Sequence, residues 1–294
     1  MAHEREIVEA RRFLSRIGVW PRERQLHIDA WLLNFSEGTD RDVAYALLDA
    51  FVHINDDHRV AALRSAIRSL STLDLFYGAP DRAAAWRDFM KSAIASIPLS
   101  HPGDGAASGY LYLRTARAFG FTRCLDSAYL VEDLLKSTVP RPVIFMDDIA
   151  GTGRQFIANW KRNYTSPAGK SSLKKLAADG RVGPCFFTPI VSTEPAAARI
   201  EQETGVHVRP AYLVGPDYFA STPNSRLVPD ALGPHLVDVA TRYSAATNLD
   251  AEGPLGYKQQ GLAVSFADAA PNNTLPILRP AGATTTWKPL ITND

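Results

Sequence analysis

Apolar residues recur at helical spacing through residues 4–94. Ile7, Ala10, Leu14 and Ile17 predict a helix over 4–17, which Pro21 ends. Leu26, Ile28, Trp31 and Leu32 predict a second over 24–35. After the break Ser36-Glu37-Gly38-Thr39-Asp40, Thr39 or Asp40 can cap a third over 41–54. Helices over 57–70 and 80–94 follow, the latter with Pro80 near its first turn. The pattern changes near Ser96, where short apolar runs begin to alternate with helical stretches. Strands are predicted over 97–100, 143–146, 185–191 and 206–214, and helices over 110–119, 127–135, 154–160, 171–178, 194–204 and 230–244. The segment 163–169 reads as a loop, and the chain after Gly253 as strand and loop. This alternation predicts an α/β fold with a doubly wound, mostly parallel sheet. The chain then divides into a helical N-terminal region, 1–95, and an α/β domain, 96–294, with a C-terminal strand-and-loop extension.

Chemistry concentrates in Pro142 to Trp160, PVIFMDDIAGTGRQFIANW. Val143 to Met146 is short and β-prone enough to be a buried strand. Asp147 and Asp148 follow, then the flexible turn Ile149-Ala150-Gly151-Thr152-Gly153, then a helix with Phe156, Ile157 and Trp160 on one face. Ligands of open parallel sheets sit at the carboxyl ends of strands. A helix N-terminus offers N–H groups to a phosphate there, and glycines let the backbone close round it. The same segment resembles the ribose-phosphate motif of type I phosphoribosyltransferases. The resemblance implies that Asp147 and Asp148 hold the ribose hydroxyls of phosphoribosyl pyrophosphate (PRPP), with both carboxylates reaching one sugar as the chain turns at the strand end. It also implies that Gly151, Thr152, Gly153, Arg154 and Gln155 cradle the 5′-phosphate. Arg154 and Gln155 depart from the family, which carries a small residue and a hydroxyl residue there. The family's pyrophosphate loop follows an early strand. Carried over, that role falls to Ser108 and Gly109 in the glycine-rich stretch 101–109, with Arg114 adding charge. Mg²⁺ is expected with PRPP, held mainly by substrate oxygens and water near Asp147 and Asp148.

Taken whole, the chain resembles the phosphoribosyltransferase-like family of bacterial conflict, or anti-phage defence, systems. Besides the DDIAGTGRQ core, the resemblance rests on Trp31-Leu32-Leu33-Asn34-Phe35, Val191-Ser192-Thr193-Glu194 and Pro254-Leu255-Gly256-Tyr257. It rests also on Pro271-Asn272-Asn273-Thr274-Leu275-Pro276 and Trp287-Lys288-Pro289-Leu290. It implies an enzyme acting at the anomeric carbon of a ribose phosphate or nucleotide, serving as a defence effector. The alternative is a silent nucleotide- or PRPP-sensing or assembly subunit, partnered by a reverse transcriptase, nuclease or DNA-binding protein.

Composition adds limits. Of 294 residues, 46% are hydrophobic and 21% charged, as in a folded domain protein. A formal net charge of +1 calls for neither nucleic acid nor a membrane surface, although a local basic patch stays open. Lys161, Arg162, Lys170, Lys174 and Lys175 read as a solvated face, with an anionic partner or a substrate tail as the alternative. Cys124 and Cys185 read as buried free thiols. His53 and His58, beside Asp56 and Asp57, read as solvent-facing loop residues. Trp31, Trp86 and Trp287 read as core, while Tyr257 and Trp287 are the candidates for stacking on a base. The Asn272-Asn273 turn reads as a backbone brace, with amides that read a polar ligand as the alternative. A charged N-terminus and the lack of a run near ~18 apolar residues point to a cytoplasmic protein with no membrane partner.

Overall fold

The structure, a computed structural model, describes residues 2–98, 106–249, 252–280 and 286–292. It forms two compact units. One combines Met1–Asp56 with Gly215–Asp294, and the other is Asp57–Val214. The division therefore differs from the expected 1–95 and 96–294. The predicted N-terminal helices are shared between the units, because two of them are needed to cover the sheet.

The first unit contains α1 (Ala2–Arg16), α2 (Ile28–Leu32), α3 (Thr39–Ala50) and β1 (Val52–Ile54). The predicted helix over 41–54 stops at Ala50, and its end becomes this strand. The apolar faces of the helices pack against the C-terminal tail in one core containing Trp31, Phe35, Leu47, Leu236, Leu275 and Trp287. Trp287 meets Phe35 edge-on with centroids 5.5 Å apart, so its ring is a core ring and not a base-stacking platform. His53, expected to face solvent, is buried in β1, where its Nδ1 lies 2.9 Å from Ser265 Oγ. The Asn272-Asn273 turn is indeed a brace. Asn273 Nδ2 donates to Gln260 Oε1 at 2.7 Å, and the Asn272 carbonyl accepts from Tyr257 N at 2.7 Å. Gly256, at φ +75°, backs onto that turn, and a Cβ there would lie 2.6 Å from the Thr274 carbonyl oxygen.

The second unit begins with α4 (Asp56–Ser69) and α5 (Arg82–Ser92). It continues through β2 (Ile94–Ile97), α6 (Ala106–Phe119), β3 (Arg123–Asp126), α7 (Ser127–Lys136), β4 (Arg141–Ala150) and α8 (Arg154–Lys161). A small antiparallel hairpin, β5 (Tyr164–Ser166) with β6 (Gly169–Ser171), replaces the predicted loop. Then come α9 (Leu173–Ala178), β7 (Val182–Thr193), α10 (Glu194–Thr204), β8 (His207–Val208) and β9 (Tyr212–Val214). The first unit is completed by α11 (Gly233–Ser244) and β10 (Val264–Phe266), which pairs in parallel with β1.

The central sheet runs β3-β2-β4-β7-β8, with β9 also on β7, and every pairing is parallel. Helices cover both faces. Val143, Phe145, Cys185 and Phe187 pack against α7, α8, α9 and α10. Residues of the opposite parity face α5 and α6, as where Phe186 meets Phe89 edge-on. Strands buried on both faces read as continuous apolar runs, which is why β4 and β7 were legible. Cys185 is buried and Cys124 half-buried, and both are free thiols. Burial pushes the Cys185 thiol up to about 12. Among the described residues no helix is long and apolar enough to cross a membrane.

Candidate functional site

The acids of β4 do not follow the strand; they lie within it. Pairing with β7 continues through Asp147↔Pro189 and Ile149↔Val191 to Ala150↔Ser192. The long partner holds the chain extended, so side chains keep alternating across the sheet. Asp147 shares the parity of Val143 and Phe145. Asp148 points to the opposite face, toward α4 and α6. The expectation that a turn would aim both carboxylates at one sugar is thus corrected.

Each acid has its own surroundings. Asp147 Oδ1 accepts the backbone N–H of Asp148 at 2.9 Å. Burial, and then the neighbouring Asp148 charge, hold its carboxyl well above the usual carboxylate range. Asp148, 23% exposed, accepts a hydrogen bond from the Tyr112 hydroxyl, and Arg59 Nη2 lies 3.9 Å from its Oδ2. Tyr112 and Arg59 are each only 1% exposed. The Tyr112 hydroxyl is pushed above its ordinary value by burial first and by Asp148 second, with Arg59 opposing.

Neither Tyr112 nor Arg59 was picked out from the sequence. A signal was there for Arg59, which shares the helical stripe of Ala62, Leu63 and Ala66. A cation on an apolar stripe needs a buried partner.

Beyond Ala150 the chain turns sharply. Gly151 is buried, Thr152 half-buried, and Gly153 adopts the left-handed region at φ +71° as the residue capping α8. A Cβ on Gly153 would lie 2.9 Å from Ile200 Cγ1 and 3.2 Å from the Ala196 carbonyl oxygen, both on α10. Glycine is required here by helix packing. The Thr193 hydroxyl closes the corner. It donates to the Gly151 carbonyl at 2.8 Å and accepts the N–H of Ala196 at 3.2 Å, tying the loop to the N-terminus of α10. Lys161 reinforces the α8–α10 contact through Glu203 at 2.5 Å, so this member of the basic cluster is ion-paired.

The first turn of α8 carries no acid, and Arg154 and Gln155 are exposed there. The neighbouring α10 begins with Glu194. Of the two adjacent helix N-termini, α8 is therefore the one suited to an anion. Its buried face is the predicted one, Phe156, Ile157 and Trp160.

The predicted pyrophosphate group is placed differently. Helix α6 begins at Ala106, not Tyr110, so Gly109 is buried inside the helix and Arg114 is exposed farther along it. Residues 99–105 and the side chain of Ser108 lie outside the described residues. Among the described residues no group of three or more His, Cys, Asp or Glu side chains converges as metal donors. The hard oxygens of Asp148 suit Mg²⁺, an ion that takes few protein ligands and keeps substrate oxygens and waters, whereas Asp147 lies on the opposite face with its carboxyl held toward the neutral form.

The model of one protein family, PRTase-CE, matches residues 28–293. Among curated proteins, none matches this chain.

Proposed function

Because the chain belongs to the PRTase-CE family, which is phosphoribosyltransferase-like, we propose that it binds PRPP or a related ribose phosphate and acts at the anomeric carbon. The observation that carries this is the end of β4. A parallel strand bearing two acids leads through Gly151-Thr152-Gly153 into a helix whose first turn is free of acid. The 5′-phosphate would lie on the first N–H groups of α8, with Arg154 supplying charge. The ribose would lie at the end of β4 beside Asp148, the acid on the α4 and α6 side, with Asp147 on the opposite face of the strand. Negative charge beside the ring favours the oxocarbenium-like transition state of such reactions. In the reaction the bond from the anomeric carbon to pyrophosphate breaks, and pyrophosphate leaves with the electron pair. An acceptor's nitrogen or oxygen then bonds to that carbon and loses its proton. Mg²⁺ held near Asp148 by substrate oxygens and water would neutralise charge on the leaving group. A role as an effector in anti-phage defence is part of this proposal.

One observation favours a second reading, a sensor or assembly subunit without turnover. Asp148 is already held by Tyr112 and Arg59, and a carboxylate occupied from within has less to offer a sugar hydroxyl. Titration calorimetry with PRPP and Mg²⁺, followed by pyrophosphate release across a panel of bases, nucleotides and water, separates the two. Binding that is lost in the Asp147→Asn, Asp148→Asn variant supports the site. Release on top of that supports the enzyme, and binding without release supports the sensor. Wild-type affinity in the double variant would refute both.

A further inference from the structure

A groove outside this site gathers charge and aromatic surface. It lies between α4, α5 and the end of α6, is open to solvent with a volume of about 640 Å³, and is lined by Arg64, Arg68, Trp86, Arg87, Lys91 and Phe119, with Met90 among its apolar residues. Pockets for small ligands commonly span ~300–1,000 Å³. Its place in the fold is separate from that of the acids. Lys91 lies just before the start of β2, and Phe119 just before the start of β3. In a parallel sheet the groove is thus at the strand beginnings, whereas Asp147 and Asp148 are near a strand end. Helix α4 joins the two places, with Arg59 at Asp148 and Arg68 in the groove, nine residues or about 13 Å farther along.

The charge arrangement is unusual for a solvated face. Arg64 and Arg68 stand four apart on α4, and Arg87 and Lys91 stand four apart on α5. Like charges at that spacing repel, and helices ordinarily alternate them with acids. Among the described residues no acid lines the groove. Among the described residues no carboxylate pairs with Arg64, Arg68 or Arg87, and Lys91 has only Asp88, at 3.5 Å between exposed atoms. With a net charge of +1 for the whole chain, four cations round one groove are a local excess that an anion would relieve.

The aromatic side is built and fixed. Trp86 is half-buried, stacked on Phe89 with centroids 5.4 Å apart and 17° between planes, and met edge-on by Phe76. The Arg68 guanidinium sits 5.7 Å above the Phe119 ring. Cations interleaved with held aromatic rings recognise phosphates together with a base, since every base has a face to stack.

We propose that this groove binds a nucleoside phosphate, with its base against Trp86 and its phosphates on Arg64, Arg68, Arg87 and Lys91. That ligand has two sources, a free nucleotide or the end of a single strand.

Calorimetry on the full chain tests it with ATP, inorganic triphosphate and a short oligothymidine. ATP or the strand should bind the wild type, and the tighter of the two identifies the source. Arg68→Gln with Arg87→Gln should weaken that binding about tenfold or more. Both positions are exposed, and if circular dichroism shows damage, Arg64→Gln with Lys91→Gln serves instead. Trp86→Phe should reduce the quenching of tryptophan fluorescence by ligand. Arg68→Gln with Arg87→Gln should leave the binding of PRPP with Mg²⁺ unchanged, which separates the groove from the candidate site. Three results would each overturn the proposal: no binding of either ligand, affinity unaltered in the arginine variants, or inorganic triphosphate binding as tightly as ATP.

Discussion

Replacing Gly153 with alanine probes the corner on which the candidate site is built. The backbone sits at φ +71°, where a Cβ strains the chain by about 1–2 kcal/mol. The new methyl also meets Ile200 Cγ1 at 2.9 Å, Ile200 Cδ1 at 3.2 Å and the Ala196 carbonyl oxygen at 3.2 Å. Ile200 is fully buried, and the carbonyl belongs to helix backbone, so neither neighbour swings aside cheaply. Overpacking of this kind costs about 1–3 kcal/mol. Together the loss is roughly 2–5 kcal/mol. Urea unfolding followed by circular dichroism measures it. A double-mutant cycle divides it, because Ile200→Ala removes the nearest clashing atom. The pair should therefore be less destabilised than the sum of the singles, by about 1–3 kcal/mol, with the backbone strain remaining. A loss under about 0.5 kcal/mol for Gly153→Ala, the ordinary range for an unconstrained surface position, would refute the described loop.

Thr193→Val keeps the side-chain volume but removes a donor to Gly151 and an acceptor for Ala196 N. It should cost about 1–3 kcal/mol in urea unfolding and lower the affinity for a phosphorylated ligand in calorimetry. Asp147 carries a carboxyl raised above its unfolded value, so its neutral form favours the fold. That contribution is full below about pH 4 and is lost as the pH climbs through the folded value. Asp147→Asn should therefore raise the melting temperature relative to wild type at neutral pH, with the two converging near pH 4. A gap independent of pH would count against the buried carboxyl.

The local plan of the site was legible because it is written in consecutive residues. An apolar run, two acids, a glycine turn and an amphipathic heptad follow one another, and each dictates its own conformation. What the sequence hid was set by distant partners. Whether Asp147 and Asp148 lie in or after the strand depends on how far β7 runs beside them. Tyr112 and Arg59 reach Asp148 from two other helices. The strand Arg123–Asp126 went unseen because its sequence, RCLD, is half polar and only half-buried. His53 sat in what looked like a helix end, since three residues of strand cannot be told from a helical turn by period alone. Thr193 belonged to a segment valued only for resemblance, and its work becomes visible when Gly151 and Ala196 are seen on either side of it.

The first unit takes its core from both ends of the chain. The Trp31 indole N–H donates to the Ile277 carbonyl at 2.7 Å, across nearly the whole length of the polypeptide. During synthesis, Asp57–Val214 emerges complete and can fold while the N-terminal helices still await the tail. Until the tail segment with Leu275, Ile277 and Trp287 has been made, those helices expose tryptophan and leucine surface. A ribosome stalled short of Leu275 would therefore release a well-made sheet attached to an unburied, aggregation-prone leader.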